Sequence, residues 1–280
     1  MDLTGKLVVV TGANTGIGRV TAETLAKQGA RVILATRSEA KTAPVLEAIR
    51  AAGGTAEWLA LDLADFASVR AAAEKLLARD EALPLVIANA GFAGLRGLTK
   101  DGFELTFGTN HLGHYLFVRL LLPAIERAPL PDGARIVLVS SKAHYDAKPI
   151  DWQAQREATK AVTGLPEYAV SKLSNVLFAR ELAKRVPAHV HTYALHPGVV
   201  ASDAWRSVPW GVRHLIKLFM ITNEEGARTT LYCATSDDVA SHTGRYYDTS
   251  REKKPSKLAL DDALARTLWE KSAEWVGLPV

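Results

Sequence analysis

A chain of 280 residues, 48% hydrophobic and 23% charged, is long and apolar enough to bury a full core, as one large α/β domain or two small ones. Its one cysteine, Cys233, excludes an internal disulfide and with it a secreted disulfide scaffold. The net charge of +4 is mild, and the short cluster Arg251, Lys253, Lys254, Lys257 lacks interleaved aromatics, so it reads as a solvated loop rather than a nucleic-acid interface. Residues 1–6 lack the basic-then-apolar form of a signal peptide. No apolar run approaches the ~18–20 residues that span a bilayer. The expectation is a soluble, cytoplasmic protein without a membrane anchor.

The first element, residues 6–11, is a continuous β-branched run of the kind found in a central parallel strand buried on both faces. Gly12 stops it, and Gly12-x-x-x-Gly16-x-Gly18 leads into the helical pattern Val20, Leu25, Ala26. A glycine-rich turn between strand and helix lets backbone N–H groups approach a phosphate at the helix N-terminus, so this turn reads as a pyrophosphate site. The spacing is not the Gly-x-Gly-x-x-Gly of the commonest dinucleotide fingerprint.

The second strand, residues 31–36, ends at Arg37. An acidic residue there would suit the ribose 2′-hydroxyl of NAD; arginine suits the 2′-phosphate of NADP, and Arg19 is a second candidate cation. A helix over about 39–52 and a third strand over 56–61 follow, ending at Asp62, which either meets the adenine ring or caps the next helix. The fourth strand, 85–88, runs into Asn89-Ala90-Gly91, small residues that let backbone come close to a cofactor.

Residues 103–126 read as one long helix carrying Asn110, His111 and His114. A buried asparagine there is structural glue or a relay, and the histidines, lacking a completing carboxylate or cysteine, read as packing or polar-network residues rather than metal ligands. The fifth strand, 135–139, delivers Ser140-Ser141 at its C-terminal end, with no Gly-x-Ser-x-Gly elbow to support a hydrolase. A polar, irregular stretch covers 146–164.

The helix that begins near Tyr168 places Tyr168 and Lys172 four residues apart, on one face. A free tyrosine titrates near pH ~10. A neighbouring ammonium favours the phenolate and draws that value toward the range useful for proton transfer. The sixth strand, 189–195, reaches His196-Pro197-Gly198 at the same sheet edge. Residues 203–222, with Trp205, Trp210 and Phe219, read as helical packing or as a lid over an apolar substrate. Helix 223–235, strand 244–248 and helix 261–275 close the chain. Strand–helix alternation persists almost end to end and no repeat or linker interrupts it, which predicts a single α/β domain over 1–280 with a doubly wound, mostly parallel sheet.

Taken in order, Thr11-Gly12-x-x-x-Gly16-Ile17-Gly18, Asp62, Asn89-Ala90-Gly91, Asn110, Ser141, Tyr168-x-x-x-Lys172 and Pro197-Gly198 resemble the short-chain dehydrogenase/reductase family over nearly the whole chain. Residues 109–114 and 171–178 look like its retinol dehydrogenase-like subgroup, which includes the oxidoreductase domain of the WW-domain-containing proteins. The chain departs from the membrane-anchored retinol enzymes in starting directly at its first strand. Its gap between Ser141 and Tyr168 is longer than in many members and similar to the subgroup's.

The resemblance implies a Rossmann fold and an NADP(H)-dependent oxidoreductase, NAD(H) being the alternative cofactor. Its substrate would be a small molecule with a carbonyl or alcohol group. Asn110, Ser141, Tyr168 and Lys172 would be the catalytic residues: Ser141 and Tyr168 bind the carbonyl, Tyr168 is the general acid/base, Lys172 holds the nicotinamide ribose, and Asn110 supports a water. Cofactor binding would fall to Gly12, Asn14, Thr15, Gly16, Ile17, Gly18, Arg37, Asp62, Leu63, Asn89, Ala90, Gly91, Tyr168, Lys172, Pro197, Gly198 and Val200. Members often pair through the helix of Tyr168, so a second copy of the chain is a candidate partner. A non-catalytic NADP(H) sensor on the same fold is the alternative function. A sugar-nucleotide epimerase can share Tyr-x-x-x-Lys, but resembles a Gly-x-x-Gly-x-x-Gly turn and needs a larger C-terminal domain.

Overall fold

The computed structural model describes residues 1–129, 131–198 and 221–280. Seven strands run parallel: β1 (Leu7–Thr11), β2 (Arg31–Thr36), β3 (Thr55–Ala60), β4 (Leu85–Ala88), β5 (Ala134–Val139), β6 (Val190–His196) and β7 (Arg245–Asp248). The two-residue β8 (Arg251–Glu252) joins antiparallel at the edge, inside the basic stretch read as a loop. The order in the sheet is β3-β2-β1-β4-β5-β6-β7-β8. The strand order therefore reverses between β1 and β4, and in a doubly wound sheet the crevice at that point, beyond the strands' C-terminal ends, is where ligands bind.

Helices cover both faces. They are α1 (Gly16–Lys27), α2 (Glu39–Ala51), α3 (Phe66–Leu77), α4 (Leu105–Phe107), α5 (Gly113–Ile125), α6 (Leu165–Leu182), α7 (Asn223–Thr235) and α8 (Asp262–Val276). Successive strand residues point to opposite faces, so β1 feeds two cores. Leu7 and Val9 pack with Val69, Leu116, Leu173 and Trp269 under α3, α5, α6 and α8. Val8 and Val10 pack with Leu25, Ile49 and Cys233 under α1, α2 and α7. Covering on both faces explains why all five residues of β1 are apolar or buried.

The long helix expected over 103–126 is not uniform. Glu104 caps α4 by accepting the Phe107 N–H at 2.7 Å, and residues Gly108–Leu112 form a π-helical turn before α5. The wider turn seats Asn110 inside it. At Gly113 a Cβ would lie 2.3 Å from the Leu63 carbonyl oxygen, so only glycine lets α5 approach the end of β3 this closely.

The outer face of α6 is covered by α8. Trp269 packs edge-on against Tyr115 at 5.3 Å and tilted against Phe178 at 6.0 Å, with the guanidinium groups of Arg119 and Arg185 over its ring. Asp262 pairs with Arg180 and Lys184 at 3.0 and 2.9 Å. With α8 on this side and β5 and the Asn110 turn on the other, residues 171–179 are all buried, and that stretch of α6 shows no exposed face to a second copy of the chain. The segment read as a lid, residues 203–222, lies outside the described residues except for its last two. No helix among the described residues is long and apolar enough to cross a membrane.

Candidate active site

A cavity of about 1200 Å³ opens along the C-terminal edge of the sheet. Its walls include Gly12, Asn14, Thr15, Gly16, Ile17, Gly18, Arg37, Asp62, Leu63, Asn89, Ala90, Gly91, Ser141, Tyr168, Lys172, Pro197 and Gly198, all expected from the sequence. Among the described residues, one expected residue is not on its wall. Asn110 is fully buried behind Gly91, and Val200 lies outside the described residues.

The turn after β1 fits a pyrophosphate. A Cβ on Gly18 would fall 2.4 Å from the Gly12 carbonyl oxygen and from Asn89 Nδ2, and one on Gly12 would fall 2.9 Å from Ala90. The backbone is thus bare where α1 begins, and no acidic residue stands in the first turn of α1 to repel an anion. The turn is braced from below. The Thr11 hydroxyl accepts the Asn89 and Ala90 N–H groups, each at 2.9 Å, and Asn89 Nδ2 donates to the Thr11 carbonyl. His114 completes the brace: Nε2 lies 2.9 Å from that hydroxyl and Nδ1 lies 3.0 Å from the Asn110 carbonyl. Nδ1 must therefore donate and Nε2 accept. Burial drops the His114 pKa to about 4, so the ring is neutral. His111 bonds Ser272 of α8 at 3.0 Å, as a packing residue.

At the end of β2, Arg37 is exposed and no described residue pairs with it. Arg19, the other candidate cation, is spent on Glu23 at 2.7 Å and does not line the cavity. The second cation on this wall is Lys41, beside Ser38, which the sequence reading missed. Both lie in the turn into α2, where their spacing alone resembles an ordinary helix start. Asp62 does not cap α3; Asp65 does, accepting from Ala67 and Ser68, which leaves Asp62 on the wall holding only the Ala64 N–H at 3.0 Å.

Deeper in, the serine pair divides. The Ser140 hydroxyl donates to the Lys172 carbonyl at 2.7 Å and is buried structure. Ser141 lines the cavity beside Tyr168, its Oγ accepting the Ala143 N–H at 3.2 Å. Lys172 Nζ sits 5.6 Å from the centre of the Tyr168 ring and donates to the Val139 carbonyl at 2.9 Å. Burial drives its pKa down from 10.5 to about 8. Burial also raises the Tyr168 pKa, opposed by the neighbouring Ser141 side chain. The direction differs from the sequence expectation of a lysine-lowered tyrosine, because burial disfavours the charged form of each partner and Lys172 points to a carbonyl rather than to the phenol.

Asn110 ties the site together. Its Oδ1 accepts the Phe92 N–H at 3.2 Å, and its Nδ2 donates to the Phe92 carbonyl and to Ser171 Oγ at 3.0 and 3.1 Å. A Cβ on Gly91 would lie 3.2 Å from both Asn110 Oδ1 and Lys172 Nζ. The expected apolar contacts from Trp205 to Phe219 lie outside the described residues; among the described residues, Phe92, Leu95, Leu105, Leu165 and Val170 give the cavity apolar wall.

The short chain dehydrogenase family model matches residues 6–210. The chain is 40% identical over 287 aligned positions to Retinol dehydrogenase 11 of Mus musculus, covering 100% of this chain and 89% of that one. It is 41% identical to Retinol dehydrogenase 12 of Homo sapiens, covering 99% and 88%. Identity to Dehydrogenase/reductase SDR family member 13 of Homo sapiens is 40%, covering 99% and 74%. Among solved structures, an uncharacterised protein from Mycobacterium paratuberculosis superposes with a TM-score of 0.79 at 31% identity, covering 100% of this chain and 98% of that one. A short chain dehydrogenase from Escherichia coli CFT073, complexed with NADPH, shares the fold with a TM-score of 0.70 at 22% identity, covering 89% and 99%. The chain belongs to the short-chain dehydrogenase family, and is thus an oxidoreductase of alcohol and carbonyl groups that works with a nicotinamide cofactor.

Proposed function

We propose that this chain is an NADP(H)-dependent oxidoreductase of an apolar carbonyl or alcohol substrate, with Tyr168 as general acid/base. The observation that carries it is that Ser141, Tyr168 and Lys172 share the wall of one cavity whose other end offers a bare glycine turn and Arg37, with which no described residue pairs. Arg37, with Ser38 and Lys41, would hold a 2′-phosphate, and no carboxylate stands at the end of β2 to suit a free ribose hydroxyl. Bound nicotinamide supplies or accepts the hydride. Ser141 and Tyr168 would hold the substrate oxygen, and Tyr168 would give its proton to it in reduction or take it in oxidation. Lys172 would hold the nicotinamide ribose hydroxyls, and the carboxamide of Asn110 holds the Phe92 loop against α6 beside it. The single buried Cys233 and the absence of an internal disulfide suit the cytoplasm.

The test is absorbance-monitored turnover of NADPH and NADH against hydrophobic aldehydes and ketones, with retinal included because two relatives are named retinol dehydrogenases. NADPH-selective turnover is expected. Tyr168→Phe should abolish it and leave NADPH affinity nearly intact, and Arg37→Ala should erode selectivity for NADPH by about tenfold or more. Retained activity in Tyr168→Phe would defeat the acid/base assignment. Unchanged selectivity in Arg37→Ala would defeat the NADP assignment.

A further inference from the structure

Three positions after Ser141 stands a histidine whose side chain bonds back to it. Ser141 opens the 3₁₀ turn Lys142–Tyr145, its Oγ accepting the Ala143 N–H at 3.2 Å. Within that turn His144 is fully buried. Its Nδ1 lies 2.7 Å from the Ser141 carbonyl oxygen, and its Nε2 lies 3.1 Å from the backbone nitrogen of Ser256. A backbone N–H can only donate, so Nε2 must be the bare nitrogen and Nδ1 must carry the proton. The ring is held between Tyr145 at 4.0 Å and the edge of Tyr246 at 4.7 Å. The Tyr145 hydroxyl donates to the Lys254 carbonyl at 2.6 Å. The segment that follows β8 thus grips the turn at two points, and the serine on the opposite side of the turn faces the cavity.

We propose that His144 is a positioning residue: as the neutral Nδ1–H tautomer it anchors the Ser141 carbonyl to the segment after β8, and so aims the Ser141 hydroxyl at Tyr168. The inference rests on the carbonyl-binding role proposed above for Ser141. A bare Nε2 is essential to it. Protonating His144 would set a second N–H against that of Ser256 and release the clamp.

The charged and titratable groups around the ring are Lys142, Tyr145 and Asp146 on its own turn, Tyr246 and Asp248 on β7, and Lys253 and His196 beside them. Asp248 is occupied by Lys253 at 2.7 Å and Lys142 at 3.6 Å, and His196 is itself neutral by burial. Burial lowers the pKa of His144, against the Ser141 carbonyl and Asp146, which raise it. The clamp therefore holds at neutral pH and opens only below the ordinary histidine range.

Two measurements on the full chain test this. The first is nuclear magnetic resonance with ¹⁵N-labelled histidine, the His144 signals being those lost in His144→Asn. The Nδ1–H tautomer is expected, against the preference of free imidazole for Nε2–H; an Nε2–H tautomer overturns the proposal. The second is kinetics. His144→Phe keeps the ring stack and removes both hydrogen bonds, and should lower kcat at least tenfold with NADPH dissociation unchanged. His144→Asn, which restores a donor toward the Ser141 carbonyl, should recover most of kcat and lose the acid limb of the wild-type kcat profile. Wild-type kcat in His144→Phe, or the same acid limb in His144→Asn, overturns the proposal. A role confined to stability would leave kcat per folded enzyme and the acid limb untouched. If His144→Phe does not fold, His144→Asn and the tautomer decide. Absence of any wild-type turnover would count against the oxidoreductase reading instead, and the tautomer alone would then decide.

Discussion

Lys172 sits fully buried with no acidic partner among the described residues, so it should destabilise the fold it serves. Its pKa falls from 10.5 to about 8 through burial alone. In the window between those values the unfolded chain binds more protons than the folded one, so stability rises with pH there. Below the folded pKa the full penalty is present; above 10.5 it is gone. At pH 7 the difference amounts to about 3 kcal/mol. Lys172→Met removes it while sacrificing one hydrogen bond worth about 1 kcal/mol. The Val139 carbonyl is not orphaned, because Asn175 Nδ2 also reaches it at 3.3 Å. The variant should then be more stable by about 2 kcal/mol at pH 7, a rise in Tm of roughly 5 °C for a domain of this size, and be inactive. Circular-dichroism melts of both proteins from pH 6 to 10.5 provide the check. The gap should close as pH climbs from 8 to 10.5. A variant no more stable than wild type at pH 7, or a gap that ignores pH, would refute the reasoning that burial alone sets this lysine's charge.

Gly91→Ala places a methyl group 3.2 Å from both Asn110 Oδ1 and Lys172 Nζ, close enough to displace either by a few tenths of an ångström. It should fold with a stability change within about 1 kcal/mol and lose about tenfold or more in kcat through misplaced groups; unchanged kcat would show that the spacing is not critical. Because α8 fills the outer face of α6, light scattering should find the full chain monomeric. A dimer that weakens with Trp269→Ala, a residue of that filled face, would contradict this.

Local patterning was enough for the sheet. Buried parallel strands need apolar residues on both faces, so β1, β2, β4 and β5 stand out as continuous runs, and glycine spacing marks the turn after β1. Tyr168 and Lys172 were legible for the same reason: a helix fixes residues four apart on one face. Contacts between segments distant in sequence were not legible. No period in the chain reveals that the Asn110 turn widens to a π turn or that α5 closes onto Leu63. Nor does one show that Arg19 turns to Glu23 while Lys41 faces the cavity, or that Asp65 rather than Asp62 caps α3. Only the tertiary structure brings Ser256 to His144 and Trp269 to Phe178. It also decides which way the pKa values of Tyr168 and Lys172 move, because desolvation depends on everything packed around a group and not only on the neighbour four residues away.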